Sequence, residues 1–158
     1  MRNIFFDELS QIQQNALLAA AEAMENAYNP YSHFYVGATL IAEDGTLISG
    51  SNVENAAYGS TICAERAAIL AANAVGLRKF RGIAIIARGE TFDTNTVTAP
   101  CGSCRQMLYE LSQVSGGDFG FVLSTTKMDK IIITSIKELL PLAFGPLDIG
   151  IDISKYQK

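Results

Sequence analysis

The stretch FYVGATLIAEDGTLISGSNV at residues 34–53 decides the fold. Two apolar runs lie on either side of Asp44-Gly45, a dipeptide that favours the tight turn of a β-hairpin. The stretch therefore predicts two antiparallel strands that follow each other directly in the chain.

The segment before the hairpin has the spacing of a long helix. From Phe5 to Ala27, apolar residues recur every three or four positions, which is typical of one buried helical face. The sequence YNPYS at residues 28–32 ends this predicted helix, because the residue before Pro30 resists helical geometry.

The chain after the hairpin alternates helices with strands. The predicted elements are a helix from about Cys63 to Asn73, a strand at 81–89, a helix after Cys101, strands at 119–124 and 130–134, and a short helix begun by Ser135 and Glu138 at capping-box spacing. The strand at 81–89 is apolar on both faces, which indicates burial on both sides. Together with the hairpin, these elements predict an α/β fold, a three-layer α-β-α sandwich with a mixed five-stranded sheet.

Length and composition limit the classes of protein to which this chain can belong. The chain of 158 residues suits one domain, residues 1–158. A net charge of -4 argues against a nucleic-acid partner, because phosphate binding needs clustered Lys and Arg. The sequence has no apolar run of membrane-spanning length, and its first residues lack the pattern of a signal peptide. Three cysteines cannot complete a disulfide framework, so we expect a cytoplasmic protein with reduced thiols.

All three cysteines lie at the starts of predicted helices. Cys101 and Cys104 flank one helix start, a spacing at which two ligands can hold one metal ion, and Cys63 lies at the other. Three thiolates suit zinc, and the sequence has no fourth cysteine. The single histidine, His33, lies in a polar turn. A site with three protein ligands leaves a position open for water, which suggests catalysis.

Two charged residues beside Cys63 complete this candidate site. Glu65 is poorly placed to be a ligand from the same helical face, but it can approach the open side of the ion and move protons there. Zinc with three thiolates carries net negative charge, which disfavours ionisation of a bound water. Arg66 would offset this charge together with the two helix N-termini, and Arg105 beside Cys104 would help in the same way.

Simpler interpretations exist for each of these features. A C-x-x-C pair is often a redox or purely structural motif, although the third cysteine and the adjoining Glu65 argue against that here. Glu65 alone would be an ordinary carboxylate at a helix start, and His33 an ordinary turn residue. The alanines of the helix at 63–73 indicate close packing.

The two motifs together resemble those of a known family. CAE at 63–65 with PCGSC at 100–104 is similar to the cytidine deaminase superfamily of zinc enzymes. The longer blocks YSHFYVGATL, GSNVENAAYGSTICAERAAI, APCGSCRQML and LLPLAFGP resemble the small, homotetrameric cytidine deaminases that act on free nucleosides. The resemblance implies a cytidine deaminase-like fold, one zinc ion per chain, and hydrolytic deamination of cytidine and 2′-deoxycytidine in pyrimidine salvage.

The resemblance also implies roles for individual residues. Cys63, Cys101 and Cys104 would bind zinc, Glu65 would act as the proton shuttle, and Arg66 would offset the thiolate charge. The implied substrate contacts are Phe34 on the pyrimidine face, Asn52 and Glu54 on the ribose, the Ala64 N–H on the base carbonyl, and the Ala99 carbonyl on the departing amino group. Ala56, Tyr58 and Phe144 resemble residues that complete the pocket of a neighbouring subunit. The small-residue face of the helix at 63–73 would then form a seam of a homotetramer with shared active sites.

Other functions make different demands on the sequence. Blasticidin-type deaminases share the three-cysteine site but lack NVEN, which this chain has at residues 52–55. A polynucleotide deaminase would need a basic channel, and Glu54 would repel a 3′-phosphate at close range. A non-catalytic metal-binding module would not need polar residues such as Asn52 and Glu54 to hold a ribose. The tail LDIGIDISKYQK at residues 147–158 runs past the family's usual end.

Overall fold

The computed structural model describes residues 1–157. Within them the chain forms strands β1 (Arg2–Ile4), β2 (Phe34–Ala42), β3 (Leu47–Ser51), β4 (Phe80–Gly89), β5 (Gly120–Ser124) and β6 (Ile131–Ser135). The helices are α1 (Gln11–Met24), α2 (Ala64–Ala74), α3 (Gly102–Ser115) and α4 (Ile136–Leu139). The single domain expected over residues 1–158 includes Lys158, which lies outside the described residues. No helix within residues 1–157 is long and apolar enough to span a bilayer.

The strands form one mixed sheet in the order β1-β6-β5-β4-β2-β3. Strands β4 and β5 are parallel, and the other neighbours are antiparallel. The predicted hairpin is confirmed as β2 and β3, with Gly45 at a positive φ of 90° in the turn. The predicted count of five strands is wrong by one, because β1 adds an antiparallel edge strand to β6.

Helices cover both faces of the sheet, which confirms the three-layer arrangement. Ile83 and Ile85 of β4 pack toward α2, α3 and α4, whereas Ala84 and Ile86 pack toward α1. Successive residues of a strand point to opposite faces, so an apolar run was needed to fill both cores.

Two glycines let the helices approach the sheet closely. A Cβ at Gly37 would lie 1.9 Å from the Ala20 carbonyl oxygen of α1, and a Cβ at Gly50 would lie 2.4 Å from the Ala68 nitrogen of α2. The buried alanines of α2 therefore pack on the chain's own sheet. The expectation that the small residues of this helix form a seam between subunits stays a prediction; Leu70, Ala71 and, directly after the helix, Val75 are exposed.

The first helix is shorter than its apolar spacing predicted. It begins at Gln11, because Ser10 and Gln13 form a capping box in which the Ser10 N–H donates to the Gln13 side-chain oxygen at 3.0 Å. Phe5 is exposed and precedes a short 3₁₀ turn. At the other end of the chain, the capping box predicted from Ser135 and Glu138 is present and begins α4.

Candidate metal and substrate site

The three thiols meet where α2 and α3 begin. Cys63 is the residue before α2, Cys101 is the residue before α3, and Cys104 lies in the first turn of α3. The Sγ atoms of Cys63 and Cys101 are 4.0 Å apart, and those of Cys101 and Cys104 are 3.5 Å apart. Sulfurs bound to one tetrahedral zinc lie about 3.8 Å apart, given Zn–S bonds of about 2.3 Å. The thiols therefore stand at the spacing of zinc ligands, and no fourth side chain from residues 1–157 joins the cluster.

The helix starts favour negative charge on these thiols. The first N–H groups of a helix have no intrahelical acceptor, so two partial positive ends point at the cluster. The pKa of Cys63 is lowered to about 5, chiefly by a hydrogen bond with Cys104 and further by Arg66. The same hydrogen bond, with burial, raises the pKa of Cys104. The thiols of Cys63 and Cys104 thus share a proton by hydrogen bonding, and the Cys63 thiol ionises readily.

Glu65 is the buried carboxylate beside the cluster. It lies in the first turn of α2 and is only 4 % exposed. Burial is the main cause that raises the pKa of Glu65, and negative charge on Cys63 adds to the rise. A carboxyl group with a raised pKa can hold a proton near neutral pH and release it again, which suits proton transfer.

Only one of the two expected arginines contacts a thiol. Arg66 donates to the Thr61 carbonyl at 2.7 Å and to the Cys63 Sγ at 3.6 Å, so its charge is held against the cluster. Arg105 does not act as expected, because its guanidinium donates to the Pro100 carbonyl at 2.8 Å and the Leu139 carbonyl at 2.9 Å. Arg105 therefore holds the backbone just before Cys101 and does not contact a thiol.

Asn52 and Glu54 are two polar residues in the segment between β3 and α2. Asn52 is buried, and its amide accepts from the Val36 N–H at 2.8 Å and donates to the Phe34 carbonyl at 2.9 Å. Asn52 thereby fixes the backbone of Phe34, a role the sequence analysis missed. One amide hydrogen and one oxygen lone pair of its side chain remain available to a ligand.

Glu54 is held by the turn at residues 28–32, which was predicted only as the end of a helix. Its Oε2 accepts from the N–H groups of Tyr31 at 2.9 Å and Ser32 at 3.2 Å. Burial opposes its ionisation, but the bonds from Ser32 and Tyr31 outweigh this and lower the pKa of Glu54. Glu54 is therefore an ionised acceptor in a fixed position.

A cavity of about 360 Å³ opens beside Glu54. Its lining residues are Tyr31, Ser32, Glu54, Tyr58 and Thr61. The Thr61 carbonyl binds Arg66, which also contacts Cys63, so the cavity adjoins the thiol cluster. The rings of Tyr31 and Tyr58 meet edge to face with centroids 5.5 Å apart.

Comparison with known proteins identifies this combination of fold and site. The model of the cytidine and deoxycytidylate deaminase zinc-binding region matches residues 10–115, which include all three thiols and Glu65. The chain belongs to this deaminase family. The resemblance noted in the sequence is thereby confirmed.

Individual relatives of the deaminase family match most of the chain. The cytidine deaminase of Sporosarcina psychrophila is 41% identical over 137 residues, covering 87% of this chain and 94% of the relative. The cytidine deaminase of Halalkalibacterium halodurans is 42% identical and covers 87% and 98%. Among solved structures, cytidine deaminase from Burkholderia pseudomallei has a TM-score of 0.74 and 40% identity, covering 86% of this chain and all of that one. The structure from Mycobacterium tuberculosis has a TM-score of 0.67 and 33% identity, covering 83% and 95%.

Zinc is the metal that this deaminase site takes. The matched region of the family is zinc-binding, and the three thiols fit the ion in number, chemistry and spacing. Cys63, Cys101 and Cys104 are the residues that would hold one ion per chain.

The remaining residues expected at this site lie on separate parts of the described chain. Phe34 is half-buried at the start of β2, and Ala64 is the first, fully buried residue of α2. Ala99 is exposed two residues before Cys101. Ala56, Tyr58 and Phe144 are exposed as well, and the Phe144 carbonyl accepts from Gln106 at 2.8 Å. Tyr58 borders the cavity of its own chain.

Proposed function

We propose that this chain catalyses the hydrolytic deamination of cytidine and 2′-deoxycytidine to uridine and 2′-deoxyuridine. The observation that carries the proposal is the buried Glu65 beside three thiols at zinc-ligand spacing. The relatives and solved structures named above are cytidine deaminases. The alternative, a blasticidin-type or other aminopyrimidine deaminase, is not favoured by these similarities.

The side chains divide the reaction between them. Zinc held by Cys63, Cys101 and Cys104 would supply Lewis acidity and would lower the pKa of a bound water. Glu65 takes a proton from the attacking water and delivers it to N3 of the base as oxygen bonds to C4. Glu65 then carries the second water proton to the amino nitrogen, so that ammonia leaves as the C4–N bond breaks. Arg66 holds positive charge against Cys63 throughout.

The test of this function uses the purified protein with cytidine and 2′-deoxycytidine. We expect a fall in ultraviolet absorbance, stoichiometric ammonia, and close to one zinc per chain by metal analysis. Blasticidin S and free cytosine serve as comparison substrates. Turnover of these compounds in preference to cytidine would contradict the proposal, as would zinc-loaded protein that leaves both nucleosides unchanged.

We propose that Glu54 accepts a hydrogen bond from a ribose hydroxyl. Its ionised carboxylate lines the cavity beside the thiol cluster, in a position fixed by the Tyr31 and Ser32 N–H groups. The Phe34 ring, on the strand that Asn52 fixes, would stack on the base, with the Ala64 N–H on the base carbonyl and the Ala99 carbonyl on the amino group. Asn52 would use its remaining amide hydrogen on the ribose.

Glu54→Ala should lower kcat/KM for cytidine by about 10–150-fold, since hydrogen bonds to charged groups contribute about 1.5–3 kcal/mol. Any activity on cytosine, which has no ribose, should change far less. Glu54→Gln is the matched control, because it keeps an acceptor for the Tyr31 and Ser32 N–H groups while removing the charge. Equal losses on cytidine and cytosine in both variants would assign Glu54 to the fold or the base.

We propose that four copies of the chain share their active sites. Ala56, Tyr58 and Phe144 are exposed, and Tyr58 borders the open cavity, so a neighbouring chain is free to contribute the equivalent side chains. The outer face of α2 exposes Leu70 and Val75, and an apolar cavity of about 370 Å³ lies between the ends of α2 and α3 remote from the thiols. These surfaces are suited to contact with other copies.

Mixing two inactive variants tests this sharing. Glu65→Gln and Phe144→Ala should each be nearly inactive alone, whereas hybrids refolded from equal amounts should recover activity. If a site takes Glu65 from one chain and Phe144 from another, about a quarter of hybrid sites contain both intact residues. Full activity in a monomer on a sizing column, or no recovery in hybrids shown to have formed, would contradict shared sites.

We also propose that the chain works in the cytoplasm as a single domain that salvages free pyrimidine nucleosides. Its thiols must stay reduced to bind zinc, as they do in the cytoplasm. The net charge of -4 and the carboxylate of Glu54 disfavour a polynucleotide substrate.

A further inference from the structure

Phe92 is an exposed aromatic residue in the loop that connects β4 to Cys101. The chain reverses direction directly after β4, because the Gly89 N–H donates to the Phe92 carbonyl at 2.9 Å. Arg88 and Asp93 then pair as an antiparallel bridge that closes the turn. Phe92 is 60 % exposed although its backbone is held by these bonds.

The Phe92 ring fills the space of the side chain that Gly89 lacks. A Cβ at Gly89 would lie 2.1 Å from the Cε1 atom of Phe92 and 2.4 Å from its Cδ1 atom. Gly89 lies directly opposite Phe34 in the pairing of β2 with β4. Side chains of directly opposite residues stand on one face with their Cβ atoms about 5 Å apart. The Phe92 ring therefore lies beside Phe34.

This face of the sheet is the one that bears the thiol cluster. The next pair in the register is Tyr35 with Arg88, and it points to the other face. There the Arg88 guanidinium lies 4.0 Å from the Tyr35 ring centre and pairs with Glu25 at the end of α1. Phe34 and Phe92 consequently lie on the side of α2 and α3, whose first residues hold the cysteines.

Hydrogen bonds hold the loop on both sides of Phe92. Thr94 and Thr126 exchange hydrogen bonds, with each backbone N–H donating to the other's hydroxyl at 2.9 and 3.1 Å. Both hydroxyls also donate to the Ala87 carbonyl, at 3.1 and 2.7 Å. The loop is thereby fastened to the turn between β5 and β6, so the ring is positioned before any ligand binds.

We propose that Phe92 is a further substrate-binding residue that extends the aromatic wall formed by Phe34. The inference rests on the proposed function: the pyrimidine stacks on Phe34, and Phe92 contacts its edge. Such a contact binds substrate and transition state alike, because it is remote from the atoms that react. Its loss should raise KM and leave kcat nearly unchanged.

Phe92→Ala should raise KM for cytidine about 3–10-fold with kcat within about twofold of wild type, the effect typical of one aromatic contact. Gly89→Ala should raise KM similarly, because its Cβ displaces the Phe92 ring. The double variant should match Phe92→Ala alone, since only one contact exists to lose. Phe92→Tyr should stay near wild type. Phe5→Ala, which removes another exposed phenylalanine, is the matched control.

The outcomes separate this inference from the proposed function. An inactive wild-type protein would refute deamination itself, whereas an active one whose KM is unchanged in Phe92→Ala would refute only the role of Phe92. Additive effects of Phe92→Ala and Gly89→Ala would also overturn it. So would a loss of zinc or of melting temperature in Phe92→Ala that accounts for the raised KM, because the residue would then serve the fold.

Discussion

Glu65→Gln is expected to lower kcat for cytidine by about 10²–10⁴-fold, the contribution typical of a general acid–base group. The amide has the shape of the carboxyl group but accepts no proton, so neither proton transfer to the base nor transfer to the leaving amine can pass through it. The fold should persist, because Gln places a neutral group of the same volume in a site that is 4 % exposed. Zinc should stay bound, because Glu65 is not among the thiols.

The measurement combines steady-state kinetics with zinc analysis and thermal melting of the same preparation. Glu22→Gln on the exposed side of α1 makes the same chemical change away from the site and should retain full activity. A Glu65→Gln protein that keeps one zinc per chain and more than about a tenth of the wild-type kcat would rule out Glu65 as the proton carrier.

Cys104→Ala is expected to weaken zinc binding by at least about 100-fold, and deamination should fall with the zinc content. Cys104 is the fully buried member of the cluster, and alanine at this position leaves two thiols to hold the ion. Zinc at a thousandfold excess over its Kd stabilises the folded state by about 4 kcal/mol. For a chain of this size, that corresponds to roughly 10 °C in melting temperature.

A chelator separates loss of the metal from loss of packing. Chelation should lower the melting temperature of the wild type by roughly 10 °C and that of Cys104→Ala far less, because the variant has little zinc to lose. Ser103→Ala changes the exposed neighbour between the two ligands of α3 and should behave as wild type. Full zinc and full activity in Cys104→Ala would exclude this residue as a ligand.

The two halves of the thiol cluster were each predictable because the geometry within each half is local. Cys63 and Cys101 each occupy the residue before a helix, and the sequence marks both helix starts. Arg66 reaches Cys63 within one turn of the same helix. The order of the later strands and helices was predictable as well, since their apolar runs have clear periods.

The features that sequence analysis missed depend on contacts between distant segments. Strand β1 has three residues, too few for a period, and only its pairing with β6 makes it a strand. The close packing of the α2 alanines on the sheet depends on Gly50, because its missing side chain lets the helix backbone reach β3. Phe92 lies beside Phe34 only because the register of β2 and β4 places Gly89 opposite Phe34.

The pairing of β1 with β6 also sets the order in which the chain can complete its sheet during synthesis. Ile4 pairs with Ile131, 127 positions later. At about 5–20 residues per second, the ribosome needs on the order of ten seconds to make the intervening chain. Until then β1 has no partner, whereas β6, with its three isoleucines, finds β1 already made when it emerges. Strand β1 therefore covers the apolar edge of β6 and leaves a strand of only three residues at this edge of the finished sheet, which limits pairing with other nascent chains.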